Sequence, residues 1–256
     1  IDDLWETTTR DIVKSAFPDG NNYSRIITTA ETDGVALECC GSQSDNILKM
    51  KPLGSHASAE LFFSIVCGSE HRCPDQLKEV SYRFIGKCGG LPLATICVSG
   101  LLATQPDNPK LWLHVQEFLC SNLSTNSTLE ETLHETLKLS YNSLPHYLKT
   151  CLMYLCLYPE GCTIWKFDLI KQWIAEDFIC AIEGTDTAEV ADSYFEELVN
   201  RGMIQPVDIN YSGEVFSCTL HHVVLDLVTL ESTEERFITA LDYSQPIRGH
   251  YSKARR

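Results

Sequence analysis

The spacing of apolar side chains changes character along this chain. Near its start, Ile1-Asp2-Asp3-Leu4 reads as a strand end, residues 6–17 as a helical stretch, residues 18–22 as a turn, and Arg25-Ile26-Ile27-Thr28-Thr29 as a β-branched strand. Strand, helix and strand in that order predict a parallel βαβ unit. A doubly wound sheet needs about five strands, more than this stretch supplies. Residues 1–54 are therefore expected to be the C-terminal part of a larger α/β domain, the rest of it lying upstream.

From Ser55 onward the apolar residues recur at helical spacing. Leu61, Phe62, Ile65 and Val66 mark one helix over residues 57–67. Leu77, Val80, Phe84, Ile85 and Cys88 mark a second, with Pro74 at its first position and Gly89-Gly90 as its stop. Pro92 and Pro109 open a third and a fourth, the third apolar on most faces and hence central. Residues 55–122 are predicted to be a small four-helix bundle. Residues 121–127 read as a linker, and Thr128 with Glu131 as a capping box. Helices are expected at 147–157, 167–178 and 188–200. Two short strands, 203–208 and 215–220, joined by a turn at 210–213, then lead into a last helix from His221. Helices followed by a β-ribbon predict a winged-helix unit over 123–240, with 241–256 beginning a linker.

Charge and cysteine usage narrow the function classes. A formal net charge of −15 opposes the phosphate neutralisation on which nucleic-acid binding depends, so no nucleic-acid partner is expected. The longest apolar runs fall short of the roughly 20 residues a membrane span requires. No secretory signal opens the chain, and Ile1 reads as a cut end. The 12 cysteines contain no C-x-x-C pair and mostly fall on apolar helical faces. They predict buried free thiols in a reducing, cytoplasmic setting, with no zinc site.

Several short segments could carry chemistry. Asp2 and Asp3 sit at a strand end, where one acid could hold Mg²⁺ and the other orient an attacking water; read alone, they are equally two solvated loop acids. Arg25 heads the next strand, where a guanidinium could meet a terminal phosphate, or simply lie exposed. Gly89-Gly90-Leu91-Pro92 has a sufficient local explanation as glycine stop and proline start; functionally, the rigid Pro92 ring could press on a flat base. His221 stands at a helix start, where free N–H groups and an imidazole could hold an anion, although a histidine there is commonly structural.

Taken in order, these segments resemble a known module. The strand-end acid pair with Trp5 comes first, followed by Ser24-Arg25-Ile26-Ile27-Thr28-Thr29, Met50-Lys51-Pro52-Leu53, and the Gly89 to Ala94 segment. Then come Cys151-Leu152-Met153-Tyr154-Leu155-Cys156-Leu157-Tyr158-Pro159-Glu160-Gly161 and Leu220-His221-His222-Val223-Val224-Leu225-Asp226-Leu227. Together they resemble the NB-ARC module of plant nucleotide-binding, leucine-rich-repeat disease-resistance receptors. The resemblance implies an α/β remnant of a P-loop NTPase sheet followed by a mostly α part, a small helical bundle and a winged-helix domain. It further implies Asp2 as the metal-site acid, Asp3 as its catalytic neighbour, and Arg25, Pro92 and His221 as nucleotide-binding residues, with ADP or ATP and Mg²⁺ as ligands in the intact protein.

The departures from the pattern are specific. The phosphate loop G-x-x-x-x-G-K-[ST] is absent: Gly86-Lys87 is followed by Cys88, and Ser81 occupies the first glycine's place. Leu220 replaces the usual Met, Ala30 stands where many members carry Arg, and His222 replaces the motif's Asp. The expected function is an ADP/ATP-dependent switch of an intracellular immune receptor, an ATPase of the signal-transduction type when intact and inactive as this segment alone. Its expected partners are its own N-terminal signalling and leucine-rich-repeat domains, with an oligomer on activation. The alternative is a degenerate or truncated copy serving only as a protein-interaction module. A DNA-binding winged-helix regulator is a third reading, opposed by the charge.

Overall fold

The computed structural model describes residues 1, 4, 15, 25–41, 44–124, 126–180 and 184–237. The chain divides into two compact units, residues 1–51 and 52–256.

In the first unit, Leu4 and Ala30 form a parallel bridge. The Leu4 N–H donates to the Thr29 carbonyl at 2.9 Å, and the Thr29 N–H to the Ile1 carbonyl at 3.0 Å. This is the pairing direction a βαβ unit requires. The expected connecting helix over 6–17 lies outside the described residues, apart from Ser15. Leu4 is buried whereas Ile26 and Ile27 are exposed. A helix not anticipated from the pattern, α1 (Asp33–Cys39), starts at Thr32, whose hydroxyl caps the Val35 N–H.

The second unit begins with the expected bundle: α2 (Ser55–Cys67), α3 (Asp75–Lys87), α4 (Pro92–Ala103) and α5 (Pro109–Asn122). Pro92 and Pro109 occupy the first helical turn, where a missing N–H costs nothing. Pro74, expected at the first helical position, is instead the N-cap of α3. The core of the bundle is aromatic, with Phe62, Phe63, Phe84 and Trp112 buried around Val98 and Leu102. Lys87 closes one end by donating to the Leu123 carbonyl. Gly86 and Lys87 are therefore helical residues of a structural helix rather than part of a phosphate cradle.

Helix α6 (Leu129–Asn142) carries the predicted capping box: the Thr128 N–H donates to Glu131 Oε2 at 2.9 Å, and the Glu131 N–H to Thr128 Oγ1 at 3.1 Å. It joins two cores, since Leu139 packs into the bundle while Leu137 and Tyr141 pack into the next layer. Then follow α7 (His146–Tyr154), β1 (Ile164–Trp165), α8 (Lys166–Ala175), α9 (Thr187–Asn200), β2 (Gln205–Pro206), β3 (Ser217–Thr219) and α10 (His222–Glu234). Helices α7 and α8 are shorter than predicted, α7 giving way to a 3₁₀ turn at Leu155–Leu157.

The three strands form one antiparallel sheet in the order β1-β3-β2. The predicted strands 203–208 and 215–220 are both longer than those formed. Met203 and Ile204 instead turn back, their N–H groups directed at the Leu198 carbonyl, so they seal the end of α9 rather than extend the ribbon. Strand β1 escaped prediction because two residues carry no readable alternation. Helices, sheet and wing enclose a second core around Leu148, Leu152, Trp173, Phe195 and Val228. This is a winged helix.

The two cores meet through glycines. A Cβ on Gly100 of α4 would lie 2.3 Å from the Asn200 carbonyl oxygen, and one on Gly202 would lie 2.7 Å from the Ile96 side chain. Helix α4 thus lies directly against the end of α9, with the Cys97 thiol 4.0 Å from the Gly202 carbonyl. All 12 cysteines are free. The expectation of burial holds for Cys73, Cys88, Cys97, Cys151 and Cys218, while Cys120 and Cys180 are exposed because they sit near helix or loop ends. Burial raises the thiol pKa of Cys88, Cys151 and Cys218 to about 12, which leaves them protonated and inert.

A cleft between the bundle and the winged helix

Helix α4 begins at Pro92 because the preceding pair of glycines turns the chain. Gly89 and Gly90 both adopt positive φ, +62° and +74°. The second turn also brings two backbones together: the Leu53 N–H donates to the Gly90 carbonyl at 2.8 Å, and a Cβ on Gly90 would lie 2.5 Å from the Leu53 oxygen. Pro92 is thereby presented, exposed, at the mouth of a cleft.

The cleft has a volume of about 330 Å³. Leu91, Pro92, Leu93 and Ile96 form one wall, and Leu133 of α6 contributes to it. Val199, Gly202, Ile204, Gln205, Pro206 and His221 line it from the winged helix. Its surface is apolar apart from two polar side chains, Gln205 and His221. That composition suits a flat, apolar-faced ligand carrying a few polar groups.

His221 is the N-cap of α10, and its Nδ1 accepts from the Val223 N–H at 3.3 Å. Because Nδ1 is an acceptor there, the proton of the neutral ring lies on Nε2, leaving one donor for a ligand. Burial, and then the neighbouring His222, hold the His221 pKa below the ordinary imidazole value. The two rings are 4.4 Å apart and tilted by 31°, with His222 exposed.

Of the residues singled out from sequence, the fold brings Pro92 and His221 into the lining of one cleft. Arg25 is exposed and belongs to the other compact unit. Asp2 and Asp3 lie outside the described residues. Among the described residues no group of three or more His, Cys, Asp or Glu side chains is placed to hold a metal ion. Gln205 went unremarked at the sequence level, since a single glutamine in a short strand has no signature; only the fold sets it in the cleft.

The winged helix also bears on the DNA reading. Its α9 is the second helix of the helical pair preceding the wing, the position that enters a groove in helix-turn-helix proteins. This α9 carries Glu189, Asp192, Glu196 and Glu197 and no Lys or Arg. Two of those acids hold Lys166, whose Nζ lies 2.8 Å from Asp192 and 2.7 Å from Glu196. A helix of that charge repels phosphate. No helix among the described residues is long and apolar enough to cross a membrane.

Comparison with known proteins agrees with this architecture. Residues 157–228 match the family described as the disease resistance protein winged helix domain. Over 256 residues the chain is 55% identical to disease resistance protein RGA5 of Oryza sativa subsp. japonica, covering 100% of this chain and 23% of that protein. It is 31% identical over 262 residues to disease resistance protein Pik-2 of the same species, covering 100% of this chain and 25% of that one. It is 33% identical over 246 residues to putative late blight resistance protein homolog R1B-12 of Solanum demissum, covering 96% of this chain and 18% of that relative. The chain thus spans a quarter or less of the length of these curated relatives. A helical bundle joined to a winged helix, together with similarity to disease resistance proteins running along the whole chain, identifies residues 157–228 as the winged-helix domain of the disease resistance proteins.

Proposed function

We propose that the chain is the sensing part of a nucleotide-dependent switch in an intracellular plant immune receptor, and that the cleft between α4 and the winged helix receives the base of ADP or ATP. The observation that carries this reading is the convergence of Pro92 and His221, far apart in sequence, on one apolar cleft. The Pro92 ring offers a rigid face for a purine, and the Nε2–H of His221 offers a donor for a phosphate oxygen. By the family resemblance, Arg25 would report the terminal phosphate, Asp2 would hold Mg²⁺, and Asp3 would act on the attacking water in the intact protein. The diphosphate would then favour the arrangement in which bundle and winged helix share the ligand, and the triphosphate would favour another. Such differential affinity is what a ligand-driven switch requires. The remaining receptor domains and an activated oligomer are its proposed partners, and the cytoplasm its proposed location.

Calorimetric titration of ADP into the chain tests this. Binding weakened by about tenfold or more in His221→Leu and Pro92→Ala, roughly 1.4 kcal/mol each, supports the switch. A folded chain that ignores millimolar ADP overturns it and favours the second reading, a protein-interaction module. The observation behind that second reading is the exposure of Trp165, Ile209, Tyr211 and Phe216 on the sheet and wing and of Phe167 in the first turn of α8.

A further inference from the structure

Two cysteines that take no part in the cleft meet at the turn between α2 and α3. Cys67 is the last residue of α2, and Gly68 turns the chain there in the left-handed region, at φ +75°. A 3₁₀ turn, Glu70–Arg72, follows and packs back on α2. It is held by the Arg72 N–H donating to the Ser69 carbonyl and the Cys73 N–H to the Glu70 carbonyl, both at 3.1 Å. This return sets Cys73, just before the N-cap Pro74 of α3, beside Cys67. Both side chains pack on the same aromatic core, and their thiols lie within hydrogen-bonding reach of each other.

The pair is asymmetric. Cys73 is buried at 3% exposure, whereas Cys67 is partly exposed. Burial, and then the neighbouring Cys67, push the Cys73 thiol up to about 11, against a smaller opposing pull from Ser81 and Lys78. Cys73 therefore stays protonated and sheltered, and a reagent in solution meets Cys67 first. An accessible thiol in contact with a second one is the arrangement in which oxidation stops at a disulfide and goes no further up the ladder of sulfur acids.

We propose that Cys67 and Cys73 are a peroxide-sensitive modification site, closed reversibly into an intramolecular disulfide that staples the end of α2 to the start of α3. In the first step the Cys67 sulfur attacks one oxygen of hydrogen peroxide. The S–O bond forms, the O–O bond breaks, and the departing hydroxide takes the thiol proton as water, leaving a sulfenic acid. In the second step the Cys73 sulfur attacks the Cys67 sulfur. The S–S bond forms, the S–O bond breaks, and the hydroxide leaves with the Cys73 proton as a second water. Two thiols lose two electrons, and one peroxide is reduced to two waters. Sulfurs already in contact reach the S–S length of about 2 Å by side-chain rotation and a small shift of the turn that joins the two helices. The site is independent of any ligand in the cleft.

Trypsin supplies the test, because it cuts after Arg72, between the two cysteines: residues 50–72 carry Cys67 as their only cysteine and residues 73–78 carry Cys73. The reduced, full 256-residue chain is treated with equimolar hydrogen peroxide, its remaining thiols are blocked with N-ethylmaleimide, and the digest is read by mass spectrometry. The two peptides should appear joined as the main cross-link, from a chain that stays monomeric on a non-reducing gel, and dithiothreitol should part them. In Cys73→Ser the link should be lost and Cys67 trapped as a sulfenic acid by dimedone; in Cys67→Ser, a change at the accessible position, both signals should vanish. The oxidised wild-type chain should unfold at a urea midpoint no lower than the reduced chain, since the bond fits the native turn. Oxidation of the exposed Cys120 or Cys180 with no joined pair, a wild-type Cys67 that stops at the sulfenic acid, a link found only in dimers, or a urea midpoint lowered by oxidation overturns the proposal.

Discussion

His221 and His222 illustrate how neighbours set the chemistry of a side chain. Half-burial disfavours the imidazolium of His221, and a second imidazole 4.4 Å away adds to that effect. A histidine whose folded pKa is depressed binds fewer protons folded than unfolded. Its contribution to stability is therefore present above the ordinary value of about 6.5 and lost as pH falls through the lower folded value. An aspartate at position 222, as the family motif has it, would turn the second influence from lowering to raising. In His222→Asp the His221 midpoint, read from imidazole carbon shifts, should move up, and the loss of stability on the acid side should shrink. An unmoved midpoint would show that the residue at 222 does not act on His221.

At the scale of elements, two glycines in neighbouring helices should respond to alanine in opposite ways. Gly86 is exposed in α3 with nothing within 4 Å of an added Cβ, so Gly86→Ala should stabilise the chain by about 0.4–1 kcal/mol by restricting the unfolded state. Gly100 is buried in α4, and its Cβ would meet backbone: the Asn200 oxygen at 2.3 Å and the Arg201 Cα at 2.9 Å. Gly100→Ala should therefore cost about 1–3 kcal/mol through forced separation of α4 and α9, despite its better helix propensity. Urea denaturation of both variants measures the pair; stabilisation by both would mean that α4 and α9 can part without cost. The prolines, the glycine stop and the Thr128–Glu131 capping box were legible in sequence because each acts within a few residues of itself. The requirement at Gly100 was not, because its contact is with the end of a helix about a hundred residues away.

At the scale of the molecule, residues 52–237 contain two cores held by shared helices. Helix α6 sends Leu139 into one and Leu137 and Tyr141 into the other, and Cys97 of α4 packs into the second core while its helix mates Val98 and Leu102 fill the first. Trp112 is buried in the bundle at 4% exposure and Trp173 in the winged helix at 0%. Coupling of this kind predicts one cooperative transition. Variants that keep one of the two tryptophans and replace every other should report the same urea midpoint by fluorescence. Separate midpoints would show that the bundle and the winged helix unfold independently.

The sequence by itself determined where the helices of the second unit lie to within a turn at most ends, which faces are apolar, and which family the ordered motifs resemble, because caps, periodicity and motif spacing are local or one-dimensional. It also marked Pro92 and His221 as a candidate pair. Only the tertiary structure decided that these two share a cleft, that Gln205 also lines it, and that Gly100 and Gly202 let α4 lie against the end of α9. Those facts depend on the packing of α4 against the end of α9 and on the pairing of an edge strand. Contacts between segments about a hundred residues apart leave no periodic trace in the chain that makes them.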